Sequence, residues 1–156
     1  MLRARGPTRR SLSPAERGSG RPVLLATFDV PFDPVATTVA VDAAVESGHS
    51  LIVANVVELP PLPMSVILGY DQLDYTPEME ESLSAPARLA ASLGIAVERI
   101  RIKSLHPVKA LIEVARERRP GLLVFGPDRA AMARRRYLKA SRAVREDAPC
   151  LVWLAD

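Results

Sequence analysis

The chain has 156 residues, 48% of them apolar, with one cysteine, two histidines and a formal net charge of +3. A single domain of this size buries a core without disulfides, and Cys150 with His49 and His106 is too small a donor set for a zinc site, so neither a disulfide scaffold nor a metal is expected. The apolar runs stop well short of the roughly eighteen residues that a membrane span needs, which leaves no membrane partner and makes the reducing cytoplasm the expected location.

Charge is unevenly spread. Residues 1–21 carry six arginines and one acid, residues 22–87 carry ten acids and no lysine or arginine, and residues 88–156 carry fifteen basic and seven acidic side chains. The basic isoelectric point therefore reflects the two ends of the chain, and it does not point to nucleic acid. Residues 1–21 mix Gly, Pro and Ser with the arginines and hold too little apolar surface to repay ordering, so they read as a disordered basic tail before a domain over 22–156. Proline and glycine break the helix that a transit peptide would need, and no apolar stretch follows that would make a secretory signal.

Val23-Leu24-Leu25-Ala26 is a continuous apolar run, as in a strand buried on both faces, and it ends near Asp29. Asp33-Pro34 reads as N-cap and first helical position, with Val35, Val39 and Ala43 as the expected inner stripe and Gly48 as the stop. Leu51–Val57 is a second, β-branched strand. Leu59–Tyr75 is a long Pro-rich stretch with apolar content, expected to pack as a flap or at a subunit contact. Thr76-Pro77-Glu78 restarts a helix that Pro86 should kink or divide, with a fresh start at Ser84 and an end at Gly94.

Ile95–Ile102 alternates and carries charge, as an exposed edge strand does. His106-Pro107 opens a helix with Val108, Leu111, Ile112 and Ala115 on one face, and Gly121–Gly126 is the fourth strand. A basic helix over about 135–147 buries Tyr137, Ala140, Val144 and Ala148, and Cys150–Leu154 is the last strand. The result is an α/β fold, a three-layer open parallel five-stranded sheet with helices on both faces. Right-handed crossovers leave the orders 2-1-3-4-5 and 3-2-1-4-5, and in the second the ligand crevice lies between strands one and four, beside Asp29 and Gly126-Pro127-Asp128-Arg129.

Strand-end Asp29, Leu51–Val57 followed by Glu58, His106-Pro107-Val108, Leu122–Gly126 and Ala148–Val152 together make residues 22–156 resemble the universal stress protein family. The resemblance implies the order 3-2-1-4-5, a cytoplasmic stress-response protein, and a homodimer through the last strand, Cys150–Leu154. Some members bind adenine nucleotide through Gly-x-x-Gly and a later Gly followed by Ser or Thr, which lets backbone N–H groups approach phosphate. This chain keeps Gly126, has Arg129 at the second glycine position, and offers only Ser141 near Lys139-Ala140-Ser141, so the loop as written is degenerate. Asp29 matches an acid at the adenosine end of such pockets and Val56 a position whose backbone meets the adenine.

Seven basic residues fall between Asp128 and Arg145, and Arg129 with one of Arg134–Arg136 could bind an anion by forked hydrogen bonds. The candidate nucleotide or anion residues are thus Asp29, Val56, Gly126, Arg129, Lys139 and Ser141. The sequence lacks the nucleophile elbow, the P-loop and the dinucleotide fingerprint, and no histidine lies near Cys150, so no catalytic residue is expected. The reading is a small binding or regulatory protein that requires no cofactor. The alternatives are an adenine-nucleotide binder taking ATP or AMP with weak or no hydrolysis, and a ligand-free protein-interaction module whose crevice is plugged by Phe28 or Arg129.

Overall fold

The computed structural model describes residues 20–61 and 77–155. Apart from Gly20 and Arg21, the expected basic tail lies outside the described residues, and so does the expected flap beyond residue 61, with the Thr76 cap. Five strands, β1 (Val23–Thr27), β2 (Leu51–Glu58), β3 (Val97–Ser104), β4 (Leu122–Phe125) and β5 (Leu151–Leu154), alternate with helices α1 (Pro34–Ser47), α2 (Pro77–Ser92), α3 (Pro107–Arg118) and α4 (Arg134–Asp147). The sheet is parallel throughout, in the order β3-β2-β1-β4-β5. That order decides between the two that the sequence left open.

Each central strand is buried along nearly its whole length because helices cover both faces. On one face Leu24, Ala26, Phe28, Ile52 and Val56 pack with Leu111 of α3 and Tyr137 and Val144 of α4. On the other Val23, Leu25, Leu51 and Val53 pack with Ala36 and Ala40 of α1 and Leu83 of α2. The edge strands are more exposed, as expected of β3 from its charges.

Three local expectations are corrected. The buried face of α1 is Ala36, Ala40, Val41 and Ala44, while Val35 is 61% exposed and Val39 and Ala43 only flank the core. Small side chains let the helix approach the sheet closely, and the bulkier valine turns outward. Helix α2 runs through Pro86 without a fresh start and ends at Ser92, with Pro86 itself buried, so packing on the sheet outweighs the lost hydrogen bond. Strand β3 begins at Val97 and continues to Ser104, because its register with β2 extends to the Glu58 partner. Asp33 stands at the N-cap of α1 but makes no side-chain cap bond, and Gly48 closes the helix at φ 70°.

Candidate functional site

The site follows from how the chain leaves β1, β2 and β4 at one edge of the sheet. After β1, the Thr27 hydroxyl donates to the Val30 carbonyl at 2.9 Å and turns the chain. Asp29 takes φ 56°, in the left-handed region that non-glycine residues seldom adopt. Its backbone N–H donates to Asn55 Oδ1 at 2.8 Å, which ties the end of β1 to β2.

The loops after β1 and β4 are then joined to each other. Phe32 pairs with Pro127 in an isolated antiparallel bridge, the Asp33 N–H donates to the Gly126 carbonyl at 2.9 Å, and the Asp128 N–H donates to the Pro31 carbonyl at 2.8 Å. The Gly126 N–H is itself engaged, donating to the Ala26 carbonyl at 2.9 Å. A Cβ at Gly126 would run into the Ala36 methyl and lie 3.3 Å from Leu25 Cδ1, so glycine here permits the first turn of α1 to pack on the end of β4.

Beside this junction three buried rings pack together. Phe28 meets Phe125 edge-on with centroids 4.9 Å apart, Phe125 lies parallel to Tyr137 at 6.0 Å, and the Arg129 guanidinium sits 4.1 Å over the Tyr137 ring. The Tyr137 hydroxyl donates to the Ala155 carbonyl at 2.6 Å, anchoring α4 to the chain after β5. Arg136 in the first turn of α4 reaches Glu58 at the end of β2 at 3.0 Å, an exposed pair that contributes little energy.

A family model described as the Universal stress protein family matches residues 20–155. The chain belongs to the universal stress protein family. Among solved structures, a universal stress protein in complex with cAMP is 22% identical with a TM-score of 0.55, over 86% of this chain and 95% of that one. The universal stress protein from Archaeoglobus fulgidus in complex with dAMP is 17% identical with a TM-score of 0.60, over 88% and 98%. A universal stress protein family member from Burkholderia pseudomallei is 19% identical with a TM-score of 0.55, over 85% and 94%. At these identities the shared fold is what the likenesses establish. A search of curated proteins finds no match.

Within this stress protein the six sequence candidates do not form one site. Val56 is fully buried in the core, and Gly126 is buried against α1. Asp29 is half-buried beside Asn55. Arg129, Lys139 and Ser141 share an open groove of about 920 Å³ between α4 and the end of β5, which Arg142, Arg145 and Leu154 also line. The Ser141 hydroxyl donates to the Leu138 carbonyl at 3.2 Å within its own helix. The Cys150 thiol is pushed up from its ordinary value by burial, partly offset by a backbone hydrogen bond involving Leu123, which keeps it protonated and weakly nucleophilic at neutral pH.

Asn55 was not singled out by sequence reasoning. It is 7% exposed, and its Oδ1 accepts the Asp29 N–H while its Nδ2 has no hydrogen-bond partner. The signal was legible, since a carboxamide in the otherwise apolar run Leu51–Val57 must be held by something. Asn55 borders a second cavity, of about 310 Å³, on the α1 and α2 side of β2 and β3. No helix among the described residues is long and apolar enough to cross a membrane.

Proposed function

We propose that the protein is a small cytoplasmic stress-response regulator that works through protein contacts, without catalytic turnover and without holding ATP through the glycine loop of nucleotide-binding relatives. The observation that carries this reading is the closed state of the crevice between β1 and β4. Its loops are hydrogen-bonded to each other, Phe28, Phe125 and Tyr137 fill the space below, and the Gly126 N–H is engaged in the ladder. Arg129, which the resemblance puts at the second glycine position, lies on Tyr137.

The partner surface we propose first is the β5 edge, through which a second copy would pair. Leu151 there is 69% exposed on a strand that, among the described residues, has a neighbour on one side only. The acidic 22–87 segment and the basic 88–156 segment would add an orienting field.

A second reading retains an adenine nucleotide, ATP or AMP, as an optional ligand. It is favoured by the groove that collects Arg129, Lys139 and Ser141, and by the cAMP and dAMP named for two solved relatives. Calorimetric titration of ATP with Mg²⁺, run against sulfate and repeated at higher salt, separates the two. The first reading expects no heat beyond what sulfate gives and salt screens. Micromolar binding that adenosine partly reproduces would overturn it in favour of the second.

A further inference from the structure

We propose that a second copy of this chain docks helix layer against helix layer, with the outer face of α1 of one copy on the outer face of α4 of the next. The contact uses neither the β5 edge nor the β1/β4 crevice, so it stands whether or not a strand pairs at β5 or a nucleotide binds. Helices α1 and α2 cover one face of the sheet, and α3 and α4 cover the other. Together α1 and α2 carry five acidic side chains and one basic, whereas α3 and α4 carry nine basic and four acidic. The charge asymmetry along the sequence thus becomes a polarity across the sheet, with an acidic layer and a basic layer back to back.

Two short stretches of these layers match. On α1, Asp42, Val45 and Glu46 stand at i, i+3 and i+4, and on α4, Arg135, Leu138 and Lys139 repeat that spacing with the opposite charge. Residues so spaced share one side of a helix, and here it is not the buried side, which lies around Ala40 on α1 and Ala140 on α4. All six are exposed, Val45 at 47% and Leu138 at 50%. Among the described residues, Asp42, Glu46, Arg135 and Lys139 have no ion pair or side-chain hydrogen bond, whereas Arg136 is held by Glu58 and Arg142 by Glu146. Helix α1 has no lysine or arginine to offset its acids.

The fold supplies the orientation. In an all-parallel sheet every crossover helix runs back against the strands, so α1 and α4 point the same way. A copy moved along the sheet normal without rotation therefore lays α1 parallel to α4, where Asp42 meets Arg135, Val45 meets Leu138 and Glu46 meets Lys139. Like charge sets α1 against a second α1 and α4 against a second α4, which disfavours a two-fold contact on either face. The contact is instead heterologous, each copy using one face and offering the other, and the assembly grows as an open stack. The complement of each face is carried by every copy, which makes a second copy the occupant. Exposed ion pairs are individually weak, so two of them around one apolar contact give an association that salt screens.

The test is sedimentation velocity of the full chain over a concentration series at low and high salt. At low salt the average mass should rise past that of a dimer, and about 0.5 M salt should reverse the rise. Two charge-reversed chains, Asp42→Lys with Glu46→Lys and Arg135→Glu with Lys139→Glu, should each need at least roughly tenfold more protein to reach the same mass. Mixed in equal amounts they should recover the growth, because every contact of an alternating stack again joins opposite charges. Should a reversed chain fail to fold, Asp42→Asn with Glu46→Gln removes the same two charges isosterically and should lose the growth. Pairing at β5 stops at a dimer and is untouched by these substitutions, so the two readings fail separately. No species beyond a dimer in the wild type at low salt, unchanged growth in a folded variant, or no recovery on mixing would overturn the proposal.

Discussion

The ends of β1 and β4 and the middle of β2 and β3 belong to one sheet, yet they are built in opposite ways. Between β1 and β4 the exit loops are hydrogen-bonded together, three aromatic rings fill the interior, and one glycine lets α1 close on the strand. Between β2 and β3 a carboxamide and two arginines stand where apolar side chains would have closed the space, and a cavity remains under α2. The order reversal of the sheet nominates the first place for a ligand. Side-chain volume leaves the room in the second, so topology says where a site could be and packing decides whether it is there.

The contrast breaks most readily at its tightest point. Gly126→Ala puts a methyl into Ala36 in the closed region and should cost about 1–3 kcal/mol, read as a lower urea midpoint at constant m. Ala36→Gly in the same chain should recover part of that loss, as expected for two residues in direct contact. At the open region a larger addition should be tolerated better. Leu83→Phe has the neighbouring cavity to enter, and its cost should stay below about 1.5 kcal/mol. Equal costs at the two positions would mean that the regions do not differ in packing.

Much of the fold was legible in the sequence because it rests on periodicity. Leu51–Val57, apolar but for Asn55 and rich in β-branched residues, and Leu122–Phe125 read as buried strands, and Pro107–Arg118 as a helix from the spacing of Leu111, Ile112 and Ala115. The face of α1 was not legible, since alanine and valine surround that helix and neither marks an inside. Pro86 misled because the local penalty is certain while the compensating burial belongs to the tertiary structure. The order of the strands came from the resemblance to a family, which spacing alone left between two choices. At the candidate site, Asp29 and Arg129 follow β1 and β4 directly and their place in the chain was legible, but what Phe28 does there depends on Phe125 and Tyr137, far away in sequence.

A smaller effect sharpens the tie between the two regions. Asp29 holds φ 56° while its N–H reaches across to Asn55, so part of the cost of joining β1 to β2 is backbone conformation. Asp29→Ala and Asp29→Gly remove the same carboxylate and differ in a Cβ. The glycine variant should be the more stable by about 1 kcal/mol in denaturant unfolding. Equal stability would show that the chain relaxes out of the left-handed region once the side chain is gone.

The smallest effect is expected where α2 faces solvent beyond the cavity. The Arg88 guanidinium hydrogen-bonds Glu81, and that bond together with its charge holds the Glu81 carboxyl below the ordinary carboxylate range. A carboxyl lowered in the fold contributes stability above its ordinary value and loses it as pH falls through the lowered one. Both groups are fully exposed, so solvent and salt screen the contribution. Arg88→Ala should leave the melting temperature unchanged at neutral pH while moving the Glu81 titration midpoint upward by NMR, and added salt should move the wild-type midpoint the same way. A clear drop in melting temperature would mean that the pair acts through Glu80 and Arg99 at the cavity rim, and the open region would then be less independent of its surface than its geometry indicates.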